Sequence, residues 1–212
     1  MVVAAQYISK EQGGDQSHDV TGILAVQGAF AEHAAMLDRL GAPWRLLRSA
    51  EDFDSSISRV ILPGGESTTQ AKLLHSTGLF DLLAEHIAAG KPVLGTCAGL
   101  ILLATHVETA DGGTITERHD GPYLAPLPVH VRRNAYGRQL GSFHTTAEFK
   151  GIGEIPMTFI RAPFITSVDD GAEELASVDG HVVAARSGNQ IGISFHPELD
   201  TDTRLHRMFL SL

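Results

Sequence analysis

The sequence predicts an α/β protein, a three-layer sandwich whose central sheet is mainly parallel and covered by helices on both faces. Three observations predict it. Short continuous apolar runs of strand length alternate with stretches whose apolar residues recur at helical spacing. Runs of this kind, apolar throughout instead of alternating, belong to strands buried on both faces, which is the state of a parallel sheet. And 212 residues of 43% hydrophobic composition close one sizeable core while falling short of two typical domains.

Residues 1–19 mix Gly13, Gly14, Asp15, Gln16, Ser17 and His18 with few apolar anchors, so they are expected to form a mobile extension ahead of one domain at 20–212. Ile23-Leu24-Ala25-Val26 reads as the first buried strand. Phe30, Ala34, Leu37 and Leu40 then recur at helical spacing before Gly41. The alternation continues with Trp44 to Arg48 as a second strand and Arg59 to Leu62 as a third, ending in Pro63-Gly64-Gly65. A single helical stretch is expected through Leu73, Leu74, Leu79, Leu82 and Leu83, followed by the apolar run Pro92 to Gly95. Val129 to Val131, Phe159 to Ile160, Val182 to Ala185 and Ile191 to Phe195 are expected to add strands and hairpins to the same sheet, and Thr201 to Leu212 to close the chain as a helix. In such a sheet the ligand groups gather in the loops beyond the carboxyl ends of the strands.

Composition excludes several classes. Sixteen basic against 25 acidic residues leave a formal charge of −9, which repels phosphate backbones and anionic lipid surfaces, so nucleic acid and membrane are not expected as partners. The apolar run near Leu100 is far too short to cross a bilayer, and the first 20 residues lack the apolar core of a secretion signal, so a soluble cytoplasmic protein is expected. One cysteine forms no internal disulfide, and no two of the eleven histidines stand three or four residues apart, so neither a metal nor a cofactor is expected.

The chemistry concentrates in three segments. Gly95-Thr96-Cys97-Ala98-Gly99, between an apolar run and a helix-forming stretch, has the small-x-nucleophile-x-small form of a nucleophile elbow with cysteine as nucleophile. A thiol at a helix N-terminus feels the positive end of the dipole, which favours thiolate, and the Ala98 amide stands where an oxyanion develops. The bland reading is a buried structural cysteine. His196-Pro197-Glu198 follows a strand, and on an extended segment residues i and i+2 face one side, so Glu198 would fix the tautomer of a His196 that takes and returns the thiol proton. Alone it also reads as a strand end and turn. Pro63-Gly64-Gly65-Glu66-Ser67-Thr68-Thr69 lets backbone amides turn into the cleft, with Gly65 as second oxyanion donor, though a strand-ending turn capped by Ser67 or Thr68 reads equally well. It lacks the Gly-Lys-Ser/Thr of a phosphate loop, which argues against nucleotide binding.

With these residues in hand, the chain resembles the triad-type, class I glutamine amidotransferases, a flavodoxin-like fold class, and within them the glutaminase subunits of pyridoxal 5'-phosphate synthase. Six segments in order carry the resemblance: Gly22 to Gly28, Pro63 to Thr69, Gly95 to Gly99, Arg133 to Gln139, Phe159 to Pro163 and Ser194 to Glu198. It implies hydrolysis of L-glutamine by Cys97, His196 and Glu198, substrate contacts from Gly64, Gly65, Glu66, Arg133, Ile160 and Arg161, and Gln27 near the partner-facing side. It also implies a (β/α)8-barrel synthase partner that receives the ammonia for vitamin B6 biosynthesis, twelve glutaminases standing on a twelve-subunit core. The chain departs from the pattern in the length before Val20, in Asp111 to Leu124, and at Gly141 and His144, where two acids near Arg133 and Arg138 are replaced. Two other readings stay open: an amidotransferase feeding another synthase, such as one for histidine or anthranilate, and a non-catalytic sensor using a reactive cysteine.

Overall fold

The computed structural model describes residues 19–109, 113–116, 123–133 and 142–212. Its first half contains strands β1 (Val20–Leu24), β2 (Trp44–Leu47), β3 (Ile57–Leu62), β4 (Val93–Thr96) and β5 (Ala104–Glu108). Helices α1 (Phe30–Leu40), α2 (Ser67–Ser76), α3 (Leu79–Ala88) and α4 (Ala98–Leu103) are interspersed with them. The second half adds β6 (Thr114–Thr116), β7 (Leu127–Arg132), β8 (Ser142–Phe149), β9 (Gly153–Ile160), β10 (Phe164–Val168), β11 (Glu173–Val178), β12 (His181–Ser187), β13 (Gln190–Ile193) and α5 (Arg204–Leu210).

The main sheet runs β2-β1-β3-β4-β13-β12-β10-β7-β5-β6, with β11 paired to β12. The five strands from β2 to β13 are all parallel, and the antiparallel pairs lie beyond them toward the β6 edge. Alternation along the central strands divides the core. Leu24, Val60, Leu62 and Val93 pack on the side of α2, α3 and α4, whereas Ile23, Ile61 and Leu94 pack on the side of α1 and α5. Both faces are covered, which is why these strands read as unbroken apolar runs. Among the described residues no helix is long and apolar enough to cross a membrane.

Several expectations change at this level. The single helix through Leu73 to Leu83 is two, because Gly78 adopts φ 72 between α2 and α3 and turns the chain there. Among the described residues Phe159 to Ile160 joins no strand of the main sheet: β9 pairs with β8, and this ribbon packs Phe149, Ile155, Met157 and Phe159 onto the α1 and α5 side. β8 escaped notice because its buried side alternates with exposed Ser142, His144, Thr146 and Glu148, leaving no apolar run. β5 escaped because it continues α4 without a loop, the backbone turning extended at Ala104. The expected extension lies outside the described residues except for Asp19, which is tied to β3 through Arg59 and Ser58.

Candidate active site

Cys97 joins β4 to α4 with φ 49 and ψ −98, a conformation that a non-glycine residue holds only when its surroundings impose it. The surroundings are backbone. A Cβ on Gly95 would lie 2.5 Å from the Gly99 carbonyl, and one on Gly99 would collide with the Leu62 carbonyl oxygen of β3. The bend is pinned further by the Cys97 amide, which donates to the Ile193 carbonyl at 2.8 Å. Small residues flank the cysteine because helix, strand and neighbouring strand touch main chain to main chain.

Beyond β13, the His196 amide donates to the Thr158 carbonyl of β9 at 2.8 Å. The expected extended geometry of His196 and Glu198 is replaced by a 3₁₀ turn, Pro197–Leu199, with proline's preset φ opening its first turn. The turn folds Glu198 back so that the His196 Nδ1 and Glu198 Oε1 atoms stand 2.7 Å apart. Cys97, His196 and Glu198 are only 8%, 7% and 6% exposed. Burial works to lower the His196 pKa, but hydrogen bonds with Cys97 and Glu198, and the negative charge of both, overcome it and raise the pKa to about 10. Burial likewise opposes the Glu198 charge, yet the neighbouring His33 and the hydrogen bond from His196 keep that carboxyl below its ordinary range.

A cavity of about 420 Å³ opens above the sulfur. Of the residues named from sequence, Gln27, Gly64, Gly65, Glu66 and Cys97 line one part of it, and Arg133, Ile160, Arg161 and His196 the rest. Glu198 and Ala98 stand behind the wall, one supporting His196, the other opening α4. Gly64 packs so closely on His196 that a Cβ there would enter the imidazole ring. The Glu66 carboxylate accepts from the Thr68 and Thr69 amides at 3.1 and 2.7 Å, so the cap of α2 is Glu66 and neither Ser67 nor Thr68. It also accepts from the Thr69 hydroxyl at 2.7 Å and from Arg133 Nη2 at 3.0 Å, the latter holding that guanidinium over the cleft. Gln27 Oε1 accepts from the Glu66 amide at 2.8 Å and fixes the glycine loop, with Gln70 bridging the carbonyls of Gln27 and Pro63. His144 turns away to Thr158 and Asp200, outside the cavity wall, so its replacement of an acid does not touch Arg133. Arg138 and residues 134–141 lie outside the described residues.

Sequence spacing missed what the fold gathers. His33 lies beside the Glu198 carboxylate, and its one visible signal was its place on the apolar stripe of α1 with Leu37 and Leu40. The histidine-spacing argument against a metal also missed His106, His130 and Asp169, whose donor atoms lie within 4.8 Å of one another because β5 and β7 pair in parallel. The two rings stack at 4.1 Å and 17°, so as they stand no ion lies in the plane of both.

This architecture, with a cysteine on a sharp bend before α4 and a histidine–carboxylate pair after β13, is that of the class I glutamine amidotransferases. A solved glutamine amidotransferase superposes with a TM-score of 0.81 over 90% of this chain and 97% of its own, at 39% identity. The chain belongs to the SNO glutamine amidotransferase family, whose model matches residues 23–212. The pyridoxal 5'-phosphate synthase subunit PdxT of Bifidobacterium longum (strain NCC 2705) is 60% identical over 199 residues, covering 91% of this chain and 100% of its own. The subunit of the same name from Bifidobacterium adolescentis is 55% identical over 217 residues, with 91% and 100% covered.

Proposed function

We propose that residues 20–212 form a glutaminase domain that hydrolyses L-glutamine to L-glutamate and ammonia through Cys97, His196 and Glu198. The observation that carries this reading is that Cys97, on a strained bend, and His196 line one cavity, while the Glu198 carboxylate behind the wall stands 2.7 Å from the imidazole. His196, its pKa raised to about 10, already holds the proton at neutral pH, and the sulfur beside this imidazolium attacks the side-chain amide carbon. The developing oxyanion is met by the amides of Gly65 and Ala98. His196 then returns the proton to the amine, ammonia leaves, and a water activated by the same imidazole cleaves the thioester to glutamate. Gly64, Gly65, Glu66, Arg133, Ile160 and Arg161 hold the substrate, Arg133 offering the cation for its α-carboxylate.

Ammonia released into water at neutral pH becomes ammonium and is no longer a nucleophile, so the product is passed through protein to a partner. The names of the two Bifidobacterium relatives support a pyridoxal 5'-phosphate synthase as the recipient; the partner in this reading is its barrel subunit, in an assembly of twelve and twelve subunits. Gln27, which holds the Gly64–Gly65 loop through the Glu66 amide, is placed to couple docking to loop closure. The test is glutamine turnover with and without the synthase barrel, by wild type and by Cys97→Ala. Turnover that rises on adding the barrel and vanishes in the variant is expected; turnover unaffected by the substitution would remove the nucleophile.

A further inference from the structure

Behind the triad lies a polar chain that the reaction as drawn does not use. His33 on α1 and His206 on α5 are both wholly buried. His33 Nδ1 stands 3.0 Å from His206 Nε2, and His33 Nε2 stands 3.2 Å from the hydroxyl of Thr96, the residue before the nucleophile. The same Nε2 is 3.5 Å from Glu198 Oε2, the carboxylate oxygen that His196 does not hold and that has no closer hydrogen-bond partner. Two elements that carry the triad and two that cover it therefore meet at one imidazole.

The network assigns its own protons. Among the described residues His206 Nδ1 has no partner, and a bare acceptor is tolerated in a core better than an orphaned N–H, so the His206 proton sits on Nε2 and points at His33. His33 Nδ1 is then an acceptor, and in the neutral ring the proton falls on Nε2, which is hydrogen-bonded to Thr96 and keeps the positive end of its N–H dipole 3.5 Å from Glu198 Oε2. Burial depresses the pKa of both histidines, which keeps the rings neutral and this polarity intact. The titratable groups acting on His33 are Glu198, His196, His206 and, more distantly, Glu32.

We propose that His33, locked in its Nε2–H tautomer by His206, is a positioning residue that orients the free oxygen of Glu198 and so the imidazole of His196. The proposal rests on the triad reading above. A buried carboxylate held at one oxygen alone is free to rotate and to take up a proton, and either change loosens the hydrogen bond that sets the tautomer of His196.

The test compares glutamine turnover by wild type, His33→Leu, His33→Gln and Cys97→Ala in complex with the synthase barrel, after circular dichroism shows each folded. His33→Leu removes the donor at similar volume, and kcat is expected to fall 10- to 100-fold with KM for glutamine changed less than about twofold, since His33 does not line the cavity. Its acid limb is expected to move to higher pH, because Glu198 without the donor protonates more readily. His33→Gln, whose amide nitrogen reaches the position of the imidazole Nε2, is expected to recover most of the rate. Unchanged kcat and acid limb in folded His33→Leu, with Cys97→Ala inactive, overturn the positioning role alone; an active Cys97→Ala overturns the triad itself. Should His33→Leu not fold, imidazole ¹⁵N shifts of the wild type decide the matter, a protonated His33 Nδ1 being the result that overturns the proposal.

Discussion

Gly64 stands against the imidazole of His196 with no room for a methyl group, and this single contact sets how the loop and the base share the cleft. Gly64→Ala is expected to leave the fold intact, since the loop lines an open cavity, but to displace His196 or the loop by a fraction of an ångström. Displacements of that order lower rates by about 10²-fold, so steady-state kinetics beside an unchanged circular dichroism spectrum is the check. His196 itself has its pKa raised to about 10, well above its ordinary value. Its contribution to stability is therefore complete below about pH 6.5 and is lost as pH rises toward 10. The difference in urea unfolding between wild type and His196→Gln is expected to shrink between pH 6.5 and pH 10; a difference constant over that window would contradict the imidazolium pair.

Among the elements, α2 shows how structure and site share one residue. Glu66 caps the helix through two amides and also anchors Arg133, and although burial opposes its charge, the hydrogen bonds from Thr69 and Thr68 hold its carboxyl down at about 2. Glu66→Ala is expected to cost about 1 kcal/mol of stability, the ordinary worth of an N-cap, and to raise the KM for glutamine severalfold as Arg133 loses its partner. Thermal unfolding and kinetics on the same preparation check both; an unchanged KM would detach Arg133 from substrate binding. The capping carboxylate was not legible in Pro63 to Thr69, because Ser67 and Thr68 satisfy the same local preference and only the settled loop decides between them. The break at Gly78 was legible in principle, yet apolar residues on both sides keep helical spacing across it and conceal the turn.

For the whole molecule, the buried histidines set the response to acid. His86 and His206 have their pKa lowered, chiefly by burial, to about 4 and about 3, and His33 is lowered for the same reason. The folded state holds these rings neutral while the unfolded chain protonates them near pH 6.5, so stability falls as pH drops below that value. The slope approaches roughly 1 kcal/mol per pH unit for each histidine. Urea midpoints at pH 7 and pH 5 are expected to show the loss, and His86→Leu, which removes a ring remote from the cleft, to reduce it. A midpoint independent of pH across that range would mean the rings are protonated in the fold.

What the sequence determined by itself was local: the alternation of strands and helices up to β4, the elbow with its small flanks, and a histidine followed two residues on by a carboxylate. These follow from periodicity and from steric demands between neighbours along the chain. The tertiary structure alone decided that β8 and β9 leave the main sheet, that His196 and Glu198 meet through a 3₁₀ turn, and that His33 and His206 stand behind Glu198. Contacts between residues 173 positions apart carry no periodic signal, because they exist only once separate elements have packed onto one core.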